Sequence, residues 1–330
     1  MTHLLVIRFS ALGDVAMTVP VVRQLAEQYP NLDITVLSRQ QTAPLWNGMP
    51  DNVHFFGADF KGRHKGIPGL KRLLDDLDYR RFDAVADLHD ILRSLWLLRR
   101  FLIAGKRVAI VRKGRWQKWM LTHHLWKKQP LVPMVQRYAA VFSRLGFPLQ
   151  MNTQTIHLNR TERHNIGIAP FAAHKGKIYP LDKMEQVVAL LSPIFAERNE
   201  KIYLFGAGEK EKAVLEAWEK RYPHVISLAG KHTMDEEIRL MSGLRLMLTM
   251  DSANMHLASL ASTRAISIWG ATHPCIGFLG FGQQLDDCIQ KDMPCRPCSV
   301  YGNHHCKFGD YRCLNINPEH IVQAVTKDLN

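Results

Sequence analysis

An aspartate follows the first apolar run of the chain. The run HLLVIR leads into Arg8-Phe9-Ser10-Ala11-Leu12-Gly13-Asp14, and a helical pattern begins immediately afterwards. In a sheet of parallel strands covered by helices, such a loop lies at the carboxyl edge, where ligands bind. Asp14 is suited to be a helix N-cap and equally to be a general base that takes a proton from a hydroxyl group. Its position alone does not separate the two interpretations.

A second candidate site lies where a later strand ends. The run LRLMLTM leads into Asp251-Ser252-Ala253-Asn254-Met255-His256 and then into a helix. The unpaired amides of a helix start favour a diphosphate, Ser252 can add a hydroxyl donor, and His256 lies about one turn further on. Asp251 and Ser252 are also suited to capping the helix, so both interpretations stay open.

Two other strand ends bear on the ligand. Lys175 and Lys177 follow IGIAPF, where a lysine can neutralise the phosphate of a departing nucleotide or lie idle on the surface. The apolar run 201–205 leads into Gly206-Ala207-Gly208-Glu209, which begins like a dinucleotide fingerprint but has Glu211 in place of the third small residue. This disfavours a nicotinamide enzyme, whereas the turn still admits a nucleotide.

These loops need a scaffold of alternating strands and helices. HLLVIR, LDITVL, VHFF and FDAVADL alternate with helical patterns, and the rhythm restarts at HNIGIAPF. The alternation indicates an α/β protein with parallel sheets between helices. The length of 330 residues favours two domains, 1–160 and 161–330, joined by a polar linker at 159–163. A last helix is predicted from Pro318 to Leu329, and its packing on the first domain is left open.

The basic residues are concentrated in the first half of the chain. The first 150 residues contain 23 Lys and Arg against 11 Asp and Glu, whereas the remainder contains 20 against 19. No acidic residue lies between Asp90 and Glu162, although this interval contains 14 Lys and Arg. Four tryptophans lie in the same interval: Trp96, Trp116, Trp119 and Trp126. Such a stretch indicates a polyanionic partner or a membrane surface, and nucleic acid satisfies the charge equally well.

The segment ILRSLWLLRRFLIAG has apolar residues at 91, 95, 98 and 102, which form one stripe of a helix that Gly105 would end. Core packing explains this stripe better than membrane insertion, because most amphipathic helices face a core. Arg93, Arg99 and Arg100 lie beside the stripe and could still reach lipid phosphate.

All six cysteines follow residue 274. Cys295, Cys298, Cys306 and Cys313 have spacing compatible with a structural zinc, although the second pair lacks the short C-x2-C hook of a zinc ribbon. The chain shows neither the pattern of a secretory signal nor an apolar run of about 20 residues. We therefore expect a cytoplasmic protein without disulfides.

Together these motifs resemble glycosyltransferase family 9, the ADP-heptose:lipopolysaccharide heptosyltransferases, over nearly the whole chain. The resemblance depends on RFSALGD at 8–14, PFAAHKGKIYP at 170–180, LFGAGEKE at 204–211, MDSANMHLAS at 250–259, SIWGATHP at 267–274 and CRPCSVYGNHHC at 295–306. Each motif is short, but their order at successive strand ends is typical of the family.

The resemblance implies the GT-B architecture, in which two Rossmann-like domains with parallel sheets face a central cleft. It implies an inverting transfer of heptose from ADP-heptose to the Kdo and lipid A inner core, with no required cofactor or metal. The partners implied are a nucleotide-diphosphate sugar donor and an anionic glycolipid acceptor, with no nucleic acid. The enzyme is then expected at the inner face of the cytoplasmic membrane, in peripheral contact with it.

The resemblance also implies roles for single residues. Asp14 corresponds to the catalytic base. The residues expected to bind the donor are Lys177, Glu209, Asp251, Ser252, Ala253 and His256. The residues expected to bind the acceptor are Ser10, Arg63, Arg93, Arg112 and Arg115.

Two departures from the family concern the donor. Ala253 replaces a glycine beside the diphosphate, and Ala172 and Ala173 occupy a loop where hydroxyl residues are often found. These departures leave a related GT-B transferase or epimerase, acting on a UDP- or GDP-sugar, as the enzymatic alternative. A basic nucleic-acid-binding protein is the alternative of another class, but it leaves the strand-end motifs unexplained.

Overall fold

The computed structural model of the chain describes residues 2–152, 163–327 and 329. It forms two compact units, Met1–Lys113 with Val132–Thr153, and Gly114–Leu131 with Gln154–Asn330. The predicted linker at 159–163 lies, apart from Arg163, outside the described residues. The segment 114–131 was expected within the first domain, but it belongs to the second unit.

The first unit contains a sheet of five parallel strands in the order β3-β2-β1-β4-β5. These strands are β1 Thr2–Ile7, β2 Leu32–Arg39, β3 Val53–Ala58, β4 Ala84–Asp87 and β5 Arg107–Ile110. The chain proceeds from β1 to one side of the sheet and returns to the other side with β4. The carboxyl ends of β1 and β4 therefore flank the crevice in which doubly wound sheets bind ligands.

The second unit contains six parallel strands in the order β11-β10-β9-β6-β7-β8. These strands are β6 Ile166–Ala169, β7 Ile202–Leu204, β8 Val225–Ser227, β9 Leu246–Met250, β10 Arg264–Trp269 and β11 Cys288–Gln290. Here the order reverses between β6 and β9, so the loops after these two strands flank the equivalent crevice.

Ten α-helices connect the strands of the described chain. They are α1 Leu12–Gln28, α2 Gly66–Asp76, α3 Leu92–Ile103, α4 Arg115–Thr122, α5 Met134–Arg144, α6 Leu181–Glu197, α7 Glu209–Arg221, α8 Met234–Ser242, α9 Ala253–Leu260 and α10 Pro318–Thr326. Short 3-10 turns add Gln40–Trp46, Tyr79–Arg81, Lys175–Lys177, Pro274–Ile276, Leu285–Asp287 and Arg312–Leu314. The last helix, predicted from Pro318 to Leu329, ends at Thr326, and the helix that Gly105 was expected to end spans Leu92–Ile103.

The central strands are buried on both faces, which explains their continuous apolar runs. Leu4 to Ile7 of β1 are fully buried, and full burial of each such side chain stabilises the fold by about 1.5–3 kcal/mol. Helices on both faces are needed for that burial. The last helix belongs to the core of the second unit, where its Ile321 and Val325 are buried and it packs on α6.

Helix α3 does not bury the stripe that the sequence indicated. Its core face consists of Ser94, Leu97, Leu98 and Phe101, whereas Leu95 and Leu102 of the predicted stripe are exposed. The difference arises because the hydroxyl of Ser94 donates to buried Asp87 at 2.7 Å and thereby turns that face inward. Core packing therefore accounts for Leu98 and for partly buried Ile91, but not for Leu95 and Leu102.

Across the described residues, no helix combines the length and the apolar content that crossing a bilayer requires.

Candidate active site

Asp14 lies just after β1, at the reversal of strand order in the first sheet. It is the third residue of α1, so the N-cap position is occupied by Ala11 and not by Asp14. Asp14 Oδ2 accepts a hydrogen bond from the backbone amide of Ala11 at 3.2 Å, and a carboxylate in the first turn of a helix is stabilised by the helix dipole. The side chain remains 26% exposed, so it is accessible to a substrate hydroxyl.

Arg8, at the end of β1, binds the same carboxylate oxygen. Its Nη2 lies 2.7 Å from Asp14 Oδ2, and its Nη1 donates to the carbonyl of Leu88 at 2.6 Å. The Arg8 side chain is only 5% exposed. A buried arginine holds its carboxylate in place, because separating the pair would leave an uncompensated charge. Sequence reasoning missed this role, although Arg8 opens the motif RFSALGD.

The loop after β4 supports the loop after β1. The ring Nδ1 of His89 accepts a hydrogen bond from the amide of Phe9 at 3.3 Å. Burial, together with the positive charges of Arg8 and Lys113, lowers the pKa of His89 to about 3. The imidazole is therefore neutral at physiological pH and can act as an acceptor for this amide.

Asp87 anchors the start of the β4 loop. Its Oδ1 accepts from the amides of His89 and Asp90 at 2.8 and 3.1 Å. Burial raises the pKa of the Asp87 carboxyl, and its hydrogen bonds to Ser94 and to these amides oppose the rise. Asp87 is fully buried and so fixes the loop without facing a substrate.

Two of the expected acceptor residues are connected to the loop that carries Asp14. Ser10 is part of the same loop and is partly exposed. The guanidinium of Arg93 lies 4.3 Å from the centre of the Phe60 ring, and Phe60 in turn contacts Phe9 edge to face, with ring centres 4.7 Å apart. This stack connects Arg93 of α3 to the loop of Asp14.

The other three expected acceptor residues have different surroundings. Arg63 forms two hydrogen bonds of 2.6 Å with Asp76, which also binds His64, so its charge is compensated within the fold. The Arg112 carbonyl accepts from Arg137, and the Arg112 residue is exposed. Arg115 begins α4, which belongs to the second unit and not to the first, where it was expected.

In the second unit, Lys177 and Asp251 meet at the reversal of strand order. Lys177 follows β6 and Asp251 follows β9, and Lys177 Nζ lies 2.9 Å from Asp251 Oδ2. Thr272 Oγ1 donates to the same oxygen at 2.7 Å. The side chains of Lys177 and Asp251 are 17% and 6% exposed. The sequence placed both residues at strand ends but missed Thr272, which lies within the motif SIWGATHP.

The start of α9 carries the rest of the predicted diphosphate motif. Ser252 is the N-cap residue by its backbone, yet within the described chain its side chain does not cap the helix. Its Oγ lies 3.3 Å from Thr249 Oγ1 instead, and Asp251 is engaged by Lys177. The first-turn amides, which begin at partly exposed Ala253, therefore remain suited to an anion. His256 is buried within this helix.

Glu209 is the first residue of α7 and is exposed. Gly208 before it has φ +79°, a conformation that residues with a Cβ adopt only with strain. The neighbouring Glu211 accepts from the amide of Ala207 at 2.8 Å. Glu211, which replaces the third small residue of the dinucleotide fingerprint, thus closes the turn. Glu209 is left facing outward at the helix start.

The cysteine-rich segment supports Lys177 from its far side. Gly302 has φ +76°, and a Cβ at this position would lie 2.4 Å from Lys177 Cγ. The amide of Gly176 donates to the Gly302 carbonyl at 3.3 Å. A glycine is therefore required here by the backbone conformation and by the close approach of the lysine.

Arg296 fastens the same segment to the end of β10. The residue is only 2% exposed, and its Nη2 donates to the carbonyls of Trp269 and Thr272 at 3.1 and 2.9 Å. Burial lowers the pKa of Arg296. Several backbone carbonyls thus compensate one buried guanidinium, which fixes the segment beside Thr272.

All six cysteines are free thiols. Burial raises the pKa of Cys298, and the charges of Cys295 and Cys306 add to the rise. Among the described residues, however, no three His, Cys, Asp or Glu side chains are arranged to hold a metal ion. The structural zinc stays a prediction, which metal analysis of the purified protein would test.

The sequence matches the family model described as glycosyltransferase family 9 (heptosyltransferase) over residues 70–308. Among curated proteins, it is 26% identical to lipopolysaccharide heptosyltransferase 3 of Escherichia coli K12 over 289 residues, which cover 79% of this chain and 80% of the relative.

Solved structures show the same fold. The glycosyl transferase family 9 protein from Veillonella parvula has a TM-score of 0.73 at 18% identity, covering 99% of this chain and 97% of that one. E. coli heptosyltransferase WaaC with ADP has a TM-score of 0.70 at 16% identity, covering 99% and 100%. The two parallel-sheet α/β units are thus those of the GT-B class. The chain belongs to glycosyltransferase family 9, the heptosyltransferases, and is a glycosyltransferase.

Proposed function

We propose that this enzyme transfers heptose from ADP-heptose to the Kdo and lipid A inner core of lipopolysaccharide, with inversion at the anomeric carbon and Asp14 as general base. The observation that carries the proposal is the position of Asp14, a partly exposed carboxylate at the reversal of strand order, bound on one side by a buried arginine. The relative named lipopolysaccharide heptosyltransferase 3 and the similar fold solved with ADP support the choice of donor and acceptor.

In this mechanism Asp14 accepts the proton of the acceptor hydroxyl while that oxygen attacks the anomeric carbon. The bond from the anomeric carbon to the diphosphate breaks, and ADP leaves with the bonding electrons. The contacts with Arg8 and with the amide of Ala11 both fall on Oδ2. We therefore assign Oδ1 as the oxygen that meets the hydroxyl, since a general base must come within hydrogen-bond distance of the proton that it removes.

Charge on the leaving diphosphate is stabilised by Lys177 and by the amides at the start of α9. Electrostatic stabilisation of this kind is usually the largest contribution to group transfer, and it requires no divalent metal in this proposal. The ion pair with Asp251 orients Lys177, while Ser252 adds a hydroxyl donor. Exposed Glu209, at the start of α7, binds the nucleoside.

The acceptor is anionic, and the basic first half of the chain attracts it. Ser10 belongs to the loop of Asp14, and Arg93 contacts that loop through Phe60 and Phe9. We assign these two residues to the acceptor ahead of Arg63, whose charge is compensated by Asp76. A glycolipid acceptor also places the enzyme in peripheral contact with the inner face of the cytoplasmic membrane. We propose no nucleic-acid partner.

The donor is tested by thermal unfolding with ADP, UDP and GDP. A ligand at about 100 times its dissociation constant adds about 2.7 kcal/mol to the free energy of unfolding, so selective stabilisation by ADP is expected. Preference for UDP or GDP would contradict ADP-heptose as donor.

The reaction is then tested with ADP-heptose and a Kdo-lipid A acceptor in EDTA, and NMR of the product should show the inverted anomer.

A further inference from the structure

Helix α3 has a second apolar face that the first unit does not cover. Opposite its core face, the side chains of Leu92, Leu102 and Ile103 are 87%, 59% and 70% exposed, and Leu95 is 38% exposed. These four residues are called the outer face of α3. Soluble proteins keep contiguous apolar patches small unless they are used for binding, so four such residues on one 12-residue helix indicate a partner.

The charges of α3 identify what that partner is. By helical spacing Arg99 lies in the middle of the outer face, and Arg100 and Arg93 lie on its flank. The helix contains no acidic residue, and none occurs before Glu162 in the sequence that follows. A protein partner usually presents mixed charge. Arginines interspersed among exposed leucines instead match a lipid bilayer, whose anionic headgroups cover an apolar interior.

The second unit carries an independent surface of the same chemistry. Trp116 and Trp119 of α4 are 65% and 47% exposed, and Trp126 after it is 38% exposed. Exposed Arg115 and Lys127 lie in the same segment. Tryptophan is enriched where protein meets the headgroup level of a bilayer, because its ring is apolar and its N–H can bond to water or headgroups.

We propose that the outer face of α3 docks the enzyme on an anionic bilayer, with its leucines and isoleucine below the headgroups and Arg99 and Arg100 on lipid phosphate. This inference rests on the proposed function in one respect, which is that the acceptor is carried by a lipid. It goes further in assigning the contact to one helix face whose residues have no part in the chemistry.

The test is sedimentation of the purified protein with vesicles. Wild type should bind mixtures of phosphatidylcholine and phosphatidylglycerol, bind phosphatidylcholine alone much more weakly, and release as salt is raised, because screening weakens surface charge interactions. Leu102→Gln/Ile103→Gln should reduce binding by about tenfold or more, since two apolar side chains no longer gain from burial. Arg99→Gln/Arg100→Gln should reduce both the binding and its dependence on salt.

A matched control is the double variant Ile67→Gln/Leu285→Gln. These side chains are 59% and 62% exposed, nearly the same as Leu102 and Ile103, and Leu285 is followed by Asp286 and Asp287. The control should bind vesicles as wild type does. Equal loss in the control and in Leu102→Gln/Ile103→Gln would overturn the proposal, as would wild-type binding by Leu102→Gln/Ile103→Gln.

Two further measurements separate this inference from others. Transfer to a deacylated, water-soluble acceptor should be unchanged in Leu102→Gln/Ile103→Gln, whereas transfer to acceptor in vesicles should fall. Wild type that binds vesicles but fails with every acceptor would contradict the proposed function and leave the docking surface intact. A wild-type dimer that Leu102→Gln/Ile103→Gln makes monomeric, without any vesicle binding, would assign the outer face to a second copy of the chain and overturn the membrane proposal.

Discussion

The guanidinium of Arg8 lies 2.7 Å from the carboxylate of Asp14, and the two side chains differ sharply in exposure, at 5% and 26%. Arg8 is fixed by the carbonyl of Leu88, so it is the rigid partner and Asp14 is the accessible one. An arginine stays protonated at physiological pH. Arg8 can therefore orient Asp14 but cannot replace it as a base.

Replacing Asp14 by Asn should remove most of the activity. The amide has nearly the shape of the carboxylate but cannot accept the proton of the acceptor hydroxyl, and general base catalysis contributes about 10²- to 10⁴-fold. We expect kcat of Asp14→Asn to fall within that range, while stabilisation by ADP in thermal unfolding stays at the wild-type value. An Asn variant with full kcat would refute the assignment of Asp14 as base.

Replacing Arg8 should show whether this residue orients Asp14 for catalysis. Arg8→Met leaves Asp14 intact but removes the group that holds it, so we expect kcat to fall by about tenfold or more, with KM for the donor unchanged. Arg8→Lys keeps one cationic donor and should recover part of the loss. The fraction of folded molecules in each variant is measured by ADP binding. If Arg8 served only folding, kcat per folded molecule would equal the wild-type value in both Arg8→Met and Arg8→Lys.

The sequence located Asp14, Lys177 and Asp251 because parallel strands buried on both faces read as continuous apolar runs, and the polar residues that end them stand out. It also placed these residues on the correct edge of each sheet, since every strand of a parallel sheet ends on the same side. Their partners were not predictable in this way. Thr272 reaches Asp251 only because β9 and β10 are neighbours.

The buried face of helix α3 could not be predicted from the sequence either. Its apolar residues surround most of the helix, so periodicity alone does not choose which face is buried. The choice depends on buried Asp87, whose hydrogen bond from Ser94 turns a polar residue inward. Tertiary hydrogen bonds of this kind have no signature in a single sequence.

Gly302→Ala should weaken donor binding through Lys177. A Cβ at Gly302 would lie 2.4 Å from Lys177 Cγ, so the lysine must move away from the position that Asp251 gives it. A hydrogen bond to a charged group contributes about 1.5–3 kcal/mol, and its loss predicts an increase of about 10- to 100-fold in the Kd for ADP. Isothermal titration calorimetry of the variant with ADP measures this directly.

Gly309→Ala provides the control for that variant. Gly309 has φ +78°, close to the φ +76° of Gly302, but nothing lies within 4 Å of a Cβ built on it. Both variants should lose about 1–2 kcal/mol of stability from the left-handed backbone. Only Gly302→Ala should bind ADP more weakly, and equal ADP affinities for the two variants would show that Gly302 does not position Lys177.

Glu237 predicts a pH-dependent stability that is independent of catalysis. Burial raises the pKa of this carboxyl from 4.5 to about 7, so between these values the folded state holds more protons than the unfolded state. The contribution of the neutral Glu237 carboxyl to the free energy of unfolding is therefore complete below about pH 4.5, and it is lost as pH rises through about 7. Gln stays neutral, so the Tm of Glu237→Gln should gain on wild type between pH 5 and pH 8. The control is the same substitution at exposed Glu197. A Tm gain with the same pH dependence in both variants would contradict the raised pKa of Glu237.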